Sequence, residues 1–239
     1  MGREVEKILI QRNHEVVARI DSYDKEADSA TIRDEDLKDS DMALEFSLKD
    51  AVLKNAELYA SHGLAAVVGT TGWEDDREKV KELVSRGKSA YLWGSNFSIG
   101  AHLFFNLANR ATSLVDTIPE YDILAYEIHH NKKKDSPSGT ALALGKGILE
   151  HSTRKSKIVT DKLDRAPDPE EVHIASLRGG SVPGTHTILL DSFADTIEIK
   201  HTARNRGGFA LGSVMAAEWL LGKTGFFQVD DFIKDIIPY

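Results

Sequence analysis

The stretch LAAVVGTTG, residues 64–72, is a short apolar run that leads directly into a turn of glycine and threonine. A second stretch of the same kind, SAYLWGSNF at residues 89–97, follows after a charged segment. Short strands that are apolar throughout are typical of a parallel sheet with helices on both faces. The sequence therefore predicts an α/β fold for this half of the chain, most economically a doubly wound, Rossmann-like domain.

Helices and strands are predicted on either side of these two stretches. In the first half we expect helices over residues 3–12, 48–61 and 73–86, and strands over residues 14–21, 41–46, 64–68 and 89–93. Beyond residue 100 we expect helices over residues 101–113 and 140–151, and strands over residues 121–130, 171–177, 186–190 and 195–201. These later strands alternate with period two, which favours an α+β domain with a mixed or antiparallel sheet. A last helix, residues 209–222, is apolar enough to pack back on the first domain.

The composition limits the classes of function. Hydrophobic residues make up 41% of the 239 residues, which is enough for a sizeable core. A formal net charge of −8 argues against a general nucleic-acid-binding protein, whose surface should be basic. The chain has no cysteine, which excludes disulfides and thiolate metal sites and fits a cytoplasmic location. No apolar run is long enough for a membrane helix, and we expect no secretory signal at the start of the chain.

One basic stretch stands out in this acidic chain. The sequence EIHHNKKKDSPSGTA, residues 127–141, places two histidines and three lysines before a loop of small residues that leads into a predicted helix. Backbone N–H groups, hydroxyls and the positive end of a helix dipole bind carboxylate or phosphate readily. The loop alone is better explained as an ordinary helix N-cap. Together with the lysines and histidines, it predicts a binding site for a small anion.

Strand alternation separates the roles of the two histidines. In a regular strand Glu127 and His129 share one face, and His130 lies on the other. One histidine could therefore protonate a substrate near neutral pH while the other hydrogen-bonds a carboxylate. Of the three lysines we expect one to point into the site and two to face water. We expect no metal, because adjacent histidines on opposite faces chelate one ion poorly and no cysteine or spaced carboxylate completes a ligand set.

A cofactor would lie beyond the carboxyl ends of the parallel strands. The candidate positions are Asp21, the turn Gly69–Gly72 and the turn Gly94–Phe97. An acid at the end of a strand is where the 2′-hydroxyl of an adenosine ribose would be held. The helix over residues 3–12 has no strand before it, so the sequence predicts that the chain begins partway through a Rossmann unit. Gly2 would then be the last glycine of the phosphate-binding loop.

These motifs resemble those of a known family. The segment from Glu127 to His130, followed by Lys133, Asp135 and the run Pro137–Ala141, is similar to the signature of dihydrodipicolinate reductase, also called 4-hydroxy-tetrahydrodipicolinate reductase. Four more segments occur in the order expected for this family, so the resemblance covers essentially the whole chain. They are Gly69–Gly72, Ser95–Gly100, Leu177–Gly180 with Pro183–His186, and Ile197–His201 through Arg206.

The resemblance implies an enzyme of lysine and diaminopimelate biosynthesis. It implies reduction of a cyclic imine dicarboxylate, 4-hydroxy-tetrahydrodipicolinate, to tetrahydrodipicolinate by NADH or NADPH. It also implies a homotetramer with two domains per chain. We therefore predict a dinucleotide-binding domain over residues 1–99 and 207–239, and a substrate-binding and oligomerisation domain over residues 100–206.

The resemblance also implies roles for individual residues. His129 matches a proton donor, and Lys133 matches its catalytic and substrate-binding partner. The other predicted substrate-binding residues are His130, Ser138, Gly139, Thr140 and Arg206. The predicted cofactor-binding residues are Gly2, Asp21, Gly69, Thr70, Thr71, Gly94, Ser95, Asn96 and Phe97.

Two features of the sequence depart from the family pattern. The first strand and its glycines are missing, which puts pyrophosphate binding in question. Asp21 is followed by Ser22 and Tyr23 and not by an arginine suited to a 2′-phosphate, which favours NADH. Two alternatives to an active reductase therefore remain. The first is an oligomeric paralogue that neither binds cofactor nor catalyses the reaction, and the second is another Rossmann dehydrogenase acting on a small anionic substrate.

Overall fold

The structure, a computed structural model, describes residues 1–237. The chain divides into two compact units. The first unit comprises Met1–Ile99 and the chain from Arg206 onward, and the second comprises Gly100–Asn205. Arg206 therefore belongs to the first unit, whereas the sequence-based boundary placed it in the second.

Both units combine helices with strands. The helices are α1 (Gly2–Gln11), α2 (Asp34–Lys38), α3 (Val52–Ser61), α4 (Arg77–Gly87), α5 (Ile99–Val115), α6 (Gly139–His151), α7 (Gly207–Leu220) and α8 (Val229–Ile236). The strands are β1 (Met42–Glu45), β2 (Ala65–Val68), β3 (Ala90–Trp93), β4 (Asp122–His129), β5 (Lys157–Val159), β6 (Glu171–Arg178), β7 (Thr185–Asp191), β8 (Thr196–Thr202) and β9 (Gly225–Gln228).

The first unit contains a parallel sheet with the strand order β1-β2-β3-β9. Side chains of β2 alternate between two buried clusters: Ala66 and Val68 pack with residues of α3 and α4, and Val67 packs with residues of α7 and α8. Both faces of the sheet are therefore covered by helices, which explains why its strands are apolar throughout. The parallel, Rossmann-like sheet predicted from LAAVVGTTG is confirmed.

The helix predicted near the end of the chain packs on the first unit, as expected. Ala210 and Val214 of α7 form a buried cluster with Val5 of α1. After α7 the chain adds β9 at one edge of the sheet, paired with β3, and then α8. The sequence did not predict β9 or α8.

The strand predicted over residues 14–21 was wrong. This segment has no ladder partner in the described chain, and its only pairing is an isolated bridge between Ile20 and Ser29. Exposure does alternate along it, since His14, Val16 and Ala18 are half-buried while their neighbours are exposed. The period-two pattern was therefore real, but a strand also needs a neighbour to accept and donate its backbone hydrogen bonds.

The second unit contains a mixed sheet with the order β5-β6-β4-β7-β8. Strand β4 is parallel to β6 and antiparallel to β7, and β5 was not predicted. Residues of α5 and α6, such as Phe104 and Ile148, cover one face together with Ile123, Ile174 and Ile188 from the strands. The predicted mixed sheet is confirmed. Within residues 1–237, no helix combines the length and the apolar character that crossing a membrane requires.

Candidate functional site

Strand β4 carries two ionisable side chains into the interior of the second unit. Ile123, Ala125, Glu127 and His129 alternate along β4, and all four are buried. Glu127 and His129 therefore share one face of the strand, as the alternation predicted. A carboxylate in a core position requires compensation, because a buried charge without partners is costly.

The carboxylate of Glu127 receives four hydrogen bonds. Its Oε1 accepts from the amide of Ser138 at 2.9 Å, from Oγ of Ser176 at 2.9 Å and from Nη2 of Arg178 at 2.8 Å. Its Oε2 accepts from the hydroxyl of Ser138. Burial by itself raises the pKa of Glu127, but the hydrogen bonds outweigh it and hold the pKa at about 2. The carboxylate is therefore ionised at neutral pH.

His129 lies between this carboxylate and the backbone of β7. Its Nδ1 is 3.3 Å from Oε2 of Glu127, which is within ion-pair distance, but this buried nitrogen makes no hydrogen bond to any residue among residues 1–237. On the other side of the ring, a Cβ added at Gly184 would stand 3.0 Å from Nε2. Burial lowers the pKa of His129, Glu127 acts in the opposite direction, and the positive charges of Lys133 and Arg178 lower it further.

His186 completes the group, and the sequence reasoning did not single it out. It lies directly opposite Glu127 in the antiparallel register, with Nε2 3.4 Å from Oε2 of that residue. Its ring centroid is 5.1 Å from the ring centroid of His129. Burial, assisted by the charge of His129, lowers the pKa of His186 to about 4. His186 is therefore neutral at pH 7.

Glu127, His129 and His186 form a group with metal-binding geometry. One ligand atom from each lies within 4.8 Å of the other two. This finding corrects the sequence argument that no carboxylate completes a ligand set. However, the oxygen that faces both histidines already accepts the hydroxyl of Ser138, and Arg178 neutralises the carboxylate. A divalent cation would displace the first contact and be repelled by the guanidinium, so the group is better suited to orienting its histidines.

The loop between β4 and α6 holds the three lysines. Lys133 is half-buried and its Nζ lies 2.9 Å from Oδ1 of Asp135, whereas Lys132 and Lys134 are exposed. Arg178 fastens this loop, because the Nη2 atom that binds Glu127 also donates to the carbonyl of Asp135 at 2.7 Å. The same guanidinium thus contacts Glu127, which neighbours the candidate proton donor, and Asp135, which pairs with the candidate lysine.

Ser138 begins α6 and has no donor left for a ligand. Its hydroxyl and its amide both donate to Glu127, and its oxygen also accepts from the amide of Ala141 at 3.1 Å. Ser138 therefore has a structural role in this structure, and its part in substrate binding stays a prediction. Gly139 and Thr140 follow as the first two residues of α6, where amides lack partners within the helix. Gly139 is exposed and a Cβ there would meet no atom within 4 Å.

The two remaining predicted substrate-binding residues, His130 and Arg206, lie in different units and differ in burial. His130 follows β4 and is half-buried, and its Nδ1 is buried without a hydrogen-bond partner within residues 1–237. A buried ring nitrogen without a partner is costly, which fits a group that gains its partner from a ligand. Arg206 is an exposed residue at the N-terminus of α7 in the first unit.

The first unit has a cleft at the carboxyl ends of β1 and β2. It has a volume of about 340 Å³ and is lined by Phe46, Ser47, Leu48, Lys49, Gly69, Thr70 and Thr71. Thr70 ties the two strands together, because its Oγ1 accepts from the amide of Ser47 at 2.8 Å. A Cβ at Gly69 would lie 2.1 Å from the ring of Phe46, so only glycine fits at this position. The lining includes three predicted cofactor residues, and its position suits a nucleotide.

The predicted cofactor residues of the turn Gly94–Phe97 differ in burial and in their contacts. Gly94 packs against Val229, and the ring of Phe97 is buried in the core, where it contacts Phe46 edge-on. Ser95 is exposed, and Oδ1 of Asn96 accepts from the amide of Ser98.

Asp21 and Gly2 lie outside the cleft lining. Asp21 follows no strand, and its Oδ1 accepts from the amides of Tyr23 and Asp24, so it closes a turn. The predicted ribose contact of Asp21, and the preference for NADH, required a strand that ends at Asp21, and the described chain has no strand there. Gly2 is exposed at the first residue of α1, with open space where a Cβ would stand.

Sequence reasoning missed the groups around Glu127 that come from other strands. In the sheet register Ser176 and His186 lie opposite Glu127, and Arg178 lies opposite His129. The available signal was the position of Glu127 itself: a charged residue in line with Ile123 and Ala125 had to be buried and therefore needed partners. Which strands would supply those partners depends on sheet order, which the sequence does not specify.

Comparisons with known proteins match nearly the whole chain to one family. The family description "Dihydrodipicolinate reductase, N-terminus" matches residues 1–97, and "Dihydrodipicolinate reductase, C-terminus" matches residues 100–233. A protein of Christiangramia forsetii named 4-hydroxy-tetrahydrodipicolinate reductase is 41% identical over 99% of this chain and 95% of its own length. One of the same name from Archaeoglobus fulgidus is 32% identical over 98% of this chain and 96% of its own length.

A solved structure shares the fold. Dihydrodipicolinate reductase from Paenisporosarcina sp. TG-14, solved with dipicolinate bound, superposes with a TM-score of 0.73 over 95% of this chain and 92% of that one. The two sequences are 23% identical, so this similarity concerns the fold alone.

Proposed function

Because the chain belongs to the dihydrodipicolinate reductase family, we propose that it reduces 4-hydroxy-tetrahydrodipicolinate to tetrahydrodipicolinate. The reaction consumes a hydride from NADH or NADPH and one proton, and the 4-hydroxyl group leaves as water. This reaction would place it in lysine and diaminopimelate biosynthesis. The observation that carries the proposal is the grouping, within one unit, of a buried histidine, a half-buried lysine and the start of α6 around the loop of residues 130–138.

The chemistry of that loop suits a dicarboxylate. The ammonium of Lys133 and the free amides of Gly139 and Thr140 supply positive charge and donors for carboxylate oxygens. When the substrate carboxylate arrives, it competes with Asp135 for Lys133, so the lysine exchanges one carboxylate partner for another. A nearby cation also stabilises the negative charge that develops on the substrate during reduction. His129 then donates the proton that completes the reaction.

NADH or NADPH supplies the hydride when bound. In this proposal the cleft of the first unit holds the nicotinamide end, with Gly69 allowing close approach and Thr70 fixing the turn. The turn from Gly94 to Asn96 contributes to the same site. Gly2, at the N-terminus of α1, would lie near the pyrophosphate, where unpaired amides favour an anion.

A single titration series tests this function against its two alternatives. We expect calorimetry to detect binding of NADH or NADPH and of pyridine-2,6-dicarboxylate, and absorbance at 340 nm to fall when freshly prepared substrate is added with the cofactor. Binding of the dicarboxylate without binding of either cofactor would identify a non-catalytic paralogue. Binding of cofactor without binding of the dicarboxylate, and with no turnover, would indicate a dehydrogenase for another small anion.

The proposal includes a homotetramer in the cytoplasm. The sheet face of the second unit opposite α5 and α6 supports self-association, because Leu124 and Leu177 are exposed there beside half-buried Ile128 and Leu189. An exposed apolar patch on a sheet is a common protein interface. Light scattering coupled to gel filtration should give four times the chain mass of 26.4 kDa. Leu177→Glu should reduce that mass without unfolding the chain.

A further inference from the structure

The buried charge of Glu127 has no evident use in packing. It lies on the same buried face of β4 as Ile123 and Ala125. An apolar residue at position 127 would avoid the cost of burying a carboxylate. Instead the protein surrounds it with Ser138, Ser176 and Arg178. Two histidines lie within reach of its Oε2, so its charge can act on them.

The carboxylate selects one tautomer of His129. An ionised carboxylate only accepts hydrogen bonds, so the ring nitrogen that faces it is favoured in the N–H form. That nitrogen is Nδ1, which lies 3.3 Å from Oε2 of Glu127 and has no hydrogen-bond partner among residues 1–237, so the carboxylate is the nearby charge that acts on it. The neutral ring then keeps its lone pair on Nε2, the nitrogen beside Gly184, where the glycine leaves room. The same negative charge also favours the imidazolium, which must form before the ring can act as an acid.

The guanidinium of Arg178 extends this arrangement to the loop. Its Nη2 donates both to Glu127 and to the carbonyl of Asp135, and the side chain of Asp135 pairs with Lys133. One continuous set of contacts therefore runs from His129 through Glu127, Arg178 and Asp135 to Lys133.

We propose that Glu127 is a positioning residue that fixes the Nδ1–H tautomer of His129, supports its imidazolium and, through Arg178, holds Lys133 in register with it. This inference rests on the proposed function in one respect, since it takes His129 as the proton donor. The contacts themselves do not depend on which substrate is bound.

The decisive variant is Glu127→Gln, which keeps the shape and removes the charge. We expect long-range ¹H–¹⁵N NMR of histidine-labelled protein to show His129 as the Nδ1–H tautomer in the wild type and as a mixture in the variant. The charge of Glu127 favours protonation, so the ring should also titrate at lower pH in the variant. In the assay, kcat/KM near pH 7.5 should fall by about 10- to 100-fold, and the limb of the profile that reports the protonated acid should move to lower pH.

Glu171→Gln is the matched control. Glu171 is a second buried carboxylate in the same sheet, held by Arg165 at 2.7 Å and Lys157 at 2.8 Å. Its loss should lower stability without changing the tautomer of His129 or the pH profile. If the role of Glu127 is purely structural, Glu127→Gln should behave like Glu171→Gln: it should lose stability and keep both the tautomer of His129 and the pH profile.

Two further outcomes are decisive. An unchanged tautomer and an unchanged titration of His129 in Glu127→Gln would overturn the inference, as would a stoichiometric Zn²⁺ at this group that EDTA removes with loss of activity. If the Gln variant does not fold, Glu127→Asp decides, because it keeps the charge and withdraws the oxygen by about 1.5 Å. It must show a weakened preference for Nδ1–H.

The NMR result is independent of turnover. A wild type that lacks reductase activity but shows the expected change in Glu127→Gln would refute the proposed function and leave the inference standing. An active wild type in which Glu127→Gln changes neither the tautomer nor the titration of His129 would support the proposed function and refute the inference.

Discussion

Gly184 lies against the imidazole of His129, so close that a Cβ at Gly184 would stand 3.0 Å from Nε2 and 3.4 Å from Cδ2 of that ring. An alanine at this position would therefore force the ring of His129 to move by a few tenths of an ångström. The glycine of the Pro183–His186 segment thus leaves space beside Nε2, the nitrogen that gives up the proton in the proposed reaction.

Gly184→Ala should therefore lower kcat by roughly tenfold to a hundredfold while the chain still folds, because small displacements of a reacting group are costly. The measurement is steady-state kinetics together with the melting temperature. Gly179→Ala is the control, because a Cβ at Gly179 would meet no atom within 4 Å. Equal activity of the two variants would show that the ring tolerates the methyl group.

His129→Gln should lower kcat by about 10²- to 10⁴-fold, the usual contribution of a general acid. Binding of pyridine-2,6-dicarboxylate should change far less, because the charge that attracts the anion resides on the lysine. Stopped-flow oxidation of NADH or NADPH gives the rate, and calorimetry gives the affinity. An unchanged kcat would remove His129 from its proposed role.

Lys133→Ala should weaken both substrate binding and turnover, whereas Lys132→Ala should change neither by more than about twofold. The reason is their different burial: Lys133 is half-buried and paired with Asp135, and Lys132 is exposed. KM and kcat of the two variants, measured at one ionic strength, provide the comparison. Equal losses would indicate that the loop acts only through its general positive charge.

The stability of the protein should fall as the pH drops below about 6.5. His186 has a pKa of about 4 in the folded chain, so between these values the unfolded chain binds more protons than the folded one. The contribution is complete above pH 6.5 and is lost as the pH approaches 4, with a magnitude of about 3 kcal/mol. Burial and the charge of His129 produce this lowering of the pKa, and Glu127 acts against it.

Urea unfolding at pH 7, 6, 5 and 4 measures this dependence. His186→Gln should flatten the profile of the free energy of unfolding in this window. His173→Gln, which changes a half-buried histidine of β6, should leave the slope as in the wild type. The same slope in all three proteins would assign the pH dependence to other groups.

Thr70→Val should raise the Kd for NADH or NADPH by about 5- to 30-fold, which corresponds to about 1–2 kcal/mol for a lost hydrogen bond in a turn. The substitution removes the oxygen that accepts from the amide of Ser47 and loosens the cleft between β1 and β2. Affinity for pyridine-2,6-dicarboxylate should not change. Thr112→Val is the control, since the hydroxyl of Thr112 is buried in α5 without a partner in the described chain.

Local pattern was sufficient for most of the fold. The apolar run before Gly69 specified a strand of a two-sided parallel sheet, and the alternation from Ile123 to His129 specified both a strand and the face that carries the site. Neither conclusion required knowledge of distant residues, because each periodicity reports burial directly. Ser138 likewise marked the start of α6 through its capping preference.

The sequence could not predict which strands pair with each other when they lie far apart in the chain. The segment from His14 to Asp21 has the pattern of a strand but no ladder partner in the described chain, and the strand over Gly225–Gln228 has a partner, β3, but little pattern of its own. The same limit applied to the site. The sequence indicated that Ser138 was polar and well placed for a ligand, but only the folded loop between β4 and α6 reveals that Glu127 takes both its donors.

The pairing of β9 with β3 has a consequence for synthesis. A ribosome releases the chain from its N-terminus, so Gly100–Asn205 is complete before the residues of β9 have been translated. Until then β3 has one unpaired edge, and the buried ring of Phe97 lacks the contacts that α7 and α8 provide. The unit that begins first is therefore finished last. During translation this edge presents unpaired backbone N–H and C=O groups with which another chain could pair.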